Sequence, residues 1–238
     1  MRFLELLKKE IKQERGWFLY GLPIICAYEL FLLFKTNIYN LQIWLPLAIV
    51  PIFIISILVP FKAVSNFRRE WQDNSVQTLF ALPLRGYHFV CTKFITQALL
   101  VISYSFLSLV FLWLIAKIKL DTTVGITFFE IIKCWWLYWL FALPAIVFFI
   151  FSYIIGRCVR YVKGLVSVLS FIAILYGFKL LFPFGRKIFG FLPKAGFTSI
   201  NPDGVSHGTL DLSGLFFFAL FGVILLVASS FMIEKAEI

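Results

Sequence analysis

Charge is scarce in this chain. Asp, Glu, Lys and Arg make up 14% of its 238 residues, where a water-soluble domain carries roughly a quarter, so an ordinary soluble enzyme or binding module is excluded. Histidine is scarcer still: only His88 and His207 occur, and the topology predicted below puts them on opposite sides of a membrane, which argues against a His-rich zinc site. The four cysteines, Cys26, Cys91, Cys134 and Cys158, lack paired spacing, so no disulfide framework or Cys-ligated metal is expected. They read as small apolar residues. HExxH, GxSxG and GxxxxGK[ST] are all missing. No catalytic residues are therefore assigned, and the chain has no phosphate-cradling loop of its own with which to bind ATP.

What the chain has instead is apolar length. Hydrophobic residues make up 61% of it, and 30 residues are Phe. Runs of about 20 apolar residues match the hydrocarbon core of a bilayer at the helical rise of about 1.5 Å per residue. In lipid every backbone polar group must be satisfied internally, which leaves helices or a closed barrel. The runs are continuous rather than alternating, so helices are expected. Six spans are predicted, at 17–34, 43–61, 94–115, 135–155, 164–182 and 213–232. The expected fold is an all-α polytopic membrane protein forming one domain over 1–238. It has an interfacial helix at 1–15, a cytosolic segment at 62–93 and an outer loop at 183–212. The polar first fifteen residues argue against a cleaved signal sequence.

The net charge of +10 would suit nucleic acid if it were gathered on one surface. It is instead spread through short connections beside apolar runs, so no nucleic-acid partner is expected. Fourteen Lys and Arg fall on the side that holds both termini, 62–93 and 156–163, against six on the other side. By the positive-inside rule both termini are cytosolic, in a multi-pass protein of the plasma membrane.

Within residues 1–15, Phe3, Leu4, Leu7 and Ile11 share a helical face, with Lys8, Lys9, Glu10, Lys12 and Glu14 around the rest. This reads as an amphipathic helix on the membrane surface, with Trp17 at the entry to the bilayer. The competing reading is a plain basic flank. Pro23, Pro46, Pro51 and Pro144 fall inside spans and loosen them. Glu29, Glu130, Lys133 and Lys179 lie where lipid makes charge costly, about 2.5–3.5 kcal/mol at the bilayer centre. They form a candidate intramembrane polar gate, with Glu29 paired to Lys133 or Lys179. Alternatively they snorkel to the headgroups.

One stretch breaks the apolar pattern: FRREWQDNSVQTLFALPLRGYHFVCTKF, residues 67–94. Asn74 and Gln77 stand three apart, as an N-cap and its reciprocal partner do. Ser75, Thr78, Leu79 and Leu82 then share one face of a two-turn helix that Pro83 ends. So short a helix is marginal unless it packs on something, which suggests a docking knob for a cytosolic partner.

Glu70 and Trp71, the helix SVQTLFALPL, the pair Arg85 and Tyr87, and Lys93 at the next span together resemble the permeases of type-two ATP-binding-cassette (ABC) exporters. The overall layout is similar too. The resemblance implies a coupling helix seated in a cleft of a cytosolic ABC ATPase, with the N-terminal helix bordering the same subunit. Glu70 would orient the loop, Ser75–Leu82 would be the inserted helix, and Arg85 and Lys93 would hold the membrane border. Many members carry Gly-Thr after the acidic residue, where this chain has Asn74-Ser75. A second permease, identical or similar, is implied, along with ATP and Mg bound by the ATPase and no cofactor in this chain. The aromatic-rich spans favour a hydrophobic or amphipathic substrate, such as a peptide toxin or bacteriocin. The alternative from another class is a membrane scaffold or assembly factor that recruits a cytosolic partner without transport.

Overall fold

The structure is a computed structural model, and it describes residues 2–35, 41–72, 86–119, 128–159, 162–201 and 204–235. The described chain forms helices α1 (Arg2–Gln13), α2 (Arg15–Lys35), α3 (Leu41–Gln72), α4 (Gly86–Lys119), α5 (Phe128–Cys158) and α6 (Lys163–Ile188). A β-hairpin, β1 (Lys194–Asn201) and β2 (Gly204–Asp211), precedes the last helix, α7 (Leu212–Lys235). Helices α2 to α7 each contain a segment long and apolar enough to cross a membrane. The six spans read from the sequence are therefore present, and most run further than predicted. Residues 62–72 and 86–93, expected as loop, continue α3 and α4.

The hairpin also goes beyond the all-α expectation. The second half of the 183–212 connection, rich in turn formers, pairs as an antiparallel ladder from Lys194↔Asp211 to Asn201↔Gly204. Two such strands satisfy their backbone groups against each other.

Helix α4 is the hub of the bundle. It packs against α1, α2, α3, α5 and α7, while α5 also packs on α3, α6 and α7. The central core joins Ile55, Val59 and Phe67 of α3, Val90, Leu100 and Val101 of α4, and Ile146, Ile150 and Ile154 of α5. Lipid tails are as apolar as these side chains, so helix association rests on close packing and polar contacts rather than on escape from water. The outward faces fit a lipid solvent: Tyr20 and Phe34 of α2 and Ile172, Tyr176 and Phe184 of α6 are exposed. Small residues let the helices approach. A Cβ on Gly21 would lie 2.2 Å from the Tyr104 hydroxyl, and one on Gly86 would lie 2.9 Å from the Ser230 carbonyl oxygen.

Candidate functional site

The described residues that carry the resemblance meet at one end of the bundle. Helix α3 ends there and α4 begins there, so they flank the 73–85 segment, and α1 lies against them. Phe3 of α1 sits beside His88 of α4, their ring centroids 5.8 Å apart, and Leu6 is buried. One helical turn after Leu6, α1 turns Glu10 into the protein, and the turn that joins α1 to α2 does the same with Glu14; both are buried.

Each carboxylate meets an ammonium. Lys93 is 1% exposed, and its Nζ donates to Glu10 Oε2 and to Glu70 Oε1, both at 2.8 Å. Glu14 pairs with Lys62 and accepts from the Asn66 amide. The Gln97 amide approaches the same carboxylate at 3.5 Å. Lys62 also lies over the Trp17 ring, 3.9 Å from its centroid, and the Tyr104 hydroxyl donates to the Trp17 carbonyl at 2.6 Å. Helix α1, the C-terminal turns of α3 and the first half of α4 are thus tied by charge-assisted hydrogen bonds, about twice as strong as neutral ones.

Trp71 extends this assembly to α5. Its ring stacks near Phe67, meets Tyr153 edge-on at 6.1 Å and lies 5.7 Å from the Arg157 guanidinium. The Arg157 Nε donates to the Tyr153 hydroxyl at 2.9 Å. Gly86 packs on the last turns of α7. The end beside the 73–85 segment is therefore one continuous packed unit drawn from α1, α3, α4, α5 and α7.

Glu10 and Glu70 share the Lys93 ammonium and Glu14 meets Lys62, and burial makes each of these charges costly. Burial accordingly pushes the Glu10 carboxyl above its ordinary 4.5, against the pull of Lys93 and with a smaller push from Glu70.

Of the residues singled out from sequence, Glu70, Trp71 and Lys93 come together here. Lys93, assigned to the membrane border by the resemblance, is the most enclosed of the three. Asn74, Ser75, Thr78, Leu79, Leu82 and Arg85 lie outside the described residues. Glu10, Glu14, Lys62, Asn66 and Gln97 were missed. Their only sequence signal was the pair of acidic residues four apart, which reads as ordinary amphipathic charge.

Among the described side chains, the intramembrane Glu29, Lys133 and Lys179 form no ion pair with one another. Glu29 is fully buried, and among the described residues neither of its oxygens has a hydrogen-bond partner. Ser108 of α4 is the hydroxyl beside it. Lys133 and Lys179 are exposed. Glu130 is in the first turn of α5, and its side chain is outside the described part. Among the described residues no three His, Cys, Asp or Glu converge as metal ligands would.

At the opposite end, a cavity of about 410 Å³ is lined by Phe141, Phe178, Phe182 and Phe218, with Arg186 and Asp211 at its rim. Asp211 caps α7 by accepting from the Ser213 N–H at 3.0 Å and from its hydroxyl. Those two bonds, with a smaller contribution from Arg186, hold the Asp211 carboxyl below its usual range.

No family model matches the chain, and neither does any curated protein or solved structure.

Proposed function

We propose that the chain is the non-catalytic, membrane-spanning subunit of an ATP-driven exporter of the ABC type, working with a second permease and cytosolic ATPases that bind ATP and Mg. The observation that carries this reading is the buried ion network around Lys93. Apolar packing would hold two helix ends together at lower desolvation cost. A charged clamp adds something apolar packing lacks: it fixes one geometry between α1 and both helices that flank residues 73–85. A push on that segment reaches α1, α3, α4 and α5 together, as ATPase closure requires. Both termini are then cytosolic, and the aromatic-lined cavity at the other end suits a hydrophobic or amphipathic cargo.

The test is to break the apolar ridge of the segment. Leu79→Asp with Leu82→Asp leaves the spans untouched. It is expected to abolish ATPase binding while membrane insertion, read by protease accessibility, stays normal. Unchanged ATPase binding by the double variant would remove the docking helix from the account.

A further inference from the structure

With Glu10 and Glu14 turned inward, the opposite edge of α1 carries three cations against one exposed carboxylate, Glu5, which stands one turn before Lys8. Lys8, Lys12 and Arg15 follow one another at helical spacings of four and three and line a groove of about 440 Å³ with Ile11 and Phe18. Glu10 and Glu14, which could have neutralised them, are engaged with Lys93 and Lys62. None of the three cations forms an ion pair among the described residues. Like charges four apart on a helix repel, so the groove is built to gain from an anion. Its floor is apolar, and it adjoins the exposed Leu4 (62%) and Ile11 (37%), which a freely soluble anion would have no use for.

We propose that this groove binds the headgroup of an anionic phospholipid. Lys8, Lys12 and Arg15 face the phosphate, and Ile11 and Phe18 lead the acyl chains along α2. A zwitterionic lipid fits less well, because its own ammonium opposes three cations. The site lies on the outer face of the helix whose inner face carries Glu10, so an occupied groove would hold α1 at the membrane surface while the ion network holds it to the bundle. The proposal is independent of the exporter reading, since no ATPase enters its test.

The full chain, purified in a non-ionic detergent, is titrated with phosphatidylglycerol or phosphatidylcholine, and bound lipid is counted by native mass spectrometry. Phosphatidylglycerol is expected to bind about tenfold more tightly than phosphatidylcholine, and the Lys8→Gln, Lys12→Gln, Arg15→Gln variant to lose most of that preference. The charge-preserving Lys8→Arg, Lys12→Arg variant should retain it. Equal binding of the two lipids, an unchanged preference in the triple Gln variant, or displacement of phosphatidylglycerol by millimolar inorganic phosphate would each overturn the proposal. If the triple variant does not fold, wild-type binding decides. It should weaken as salt rises from about 0.05 to 0.5 M, and salt-independent binding would also overturn the assignment.

Discussion

At one end of the bundle Lys93 sits 1% exposed between two buried carboxylates. At the other, Arg186 and Asp211 meet at 2.7 Å with 56% and 33% of their side chains exposed. Beneath that exposed pair the packing is aromatic. Phe148 and Phe178 each lie 5.0 Å from Phe218, in edge-to-face pairs worth about 0.5–1.5 kcal/mol each beyond their burial. The first end is fixed by directional, desolvated charge, and the second by edge-to-face ring packing, with a solvent-screened ion pair at the rim. On the proposed exporter reading, an end that passes on a push needs a single geometry, and an end that opens to varied apolar cargo needs surfaces that repack.

The largest effect should come from breaking the clamp. Lys93→Ala leaves Glu10 and Glu70 facing each other in a buried site without their ammonium. It is expected to cost about 3–5 kcal/mol, seen as a fall in melting temperature in detergent and as proteolytic release of α1. A smaller loss, about 1–3 kcal/mol, is expected of Gly21→Ala, because its new methyl meets the Tyr104 hydroxyl where α2 packs on α4. Adding Tyr104→Phe should recover part of it in the same thermal assay.

A pH series sharpens the comparison further. The folded chain raises the Glu10 carboxyl above 4.5 and so binds that proton more tightly than the unfolded chain does. Stability from this group is therefore fully present below 4.5 and is lost as pH rises through the raised value. Glu10→Gln fixes the neutral form, so its melting temperature should fall less than the wild type's as pH rises from about 4.5 towards neutrality. The smallest effect belongs to the opposite end. Arg186→Gln removes a solvent-screened ion pair and should leave the melting temperature unchanged within error. A large loss there would erase the contrast between the two ends.

The spans were legible because bilayer thickness writes itself into sequence as apolar length. Their ends were not. Lys62, Glu70 and Lys93 look like loop residues beside an apolar run, yet each lies within a helix because a partner on another helix compensates its charge. Those partners stand 48, 23 and 83 positions away, beyond the reach of any local pattern. The same distance hid the orientation of α1. Its apolar residues Phe3, Leu4, Leu7 and Ile11 marked a face for the membrane surface, and Leu4 and Ile11 are exposed, but the side turned into the protein is set by Leu6, Glu10 and Glu14, which no apolar pattern marks. The hairpin escaped for a different reason. Its strands are polar and glycine-containing, so they show turn chemistry without the alternation that marks a half-buried strand. Glu29 was recognised as unusual, but not its isolation, because the lysines offered as partners are on the exposed faces of α5 and α6.

On the proposed exporter reading, the Lys93 end of the bundle receives an ATPase. The most direct measurement is purification of the tagged chain from its native host in mild detergent, with the co-purifying proteins identified and ATP hydrolysis assayed. The account predicts a stoichiometric ABC ATPase that is lost in the Leu79→Asp, Leu82→Asp variant. A chain that purifies alone, or with a partner that does not hydrolyse ATP, would contradict it and leave a membrane scaffold as the better description.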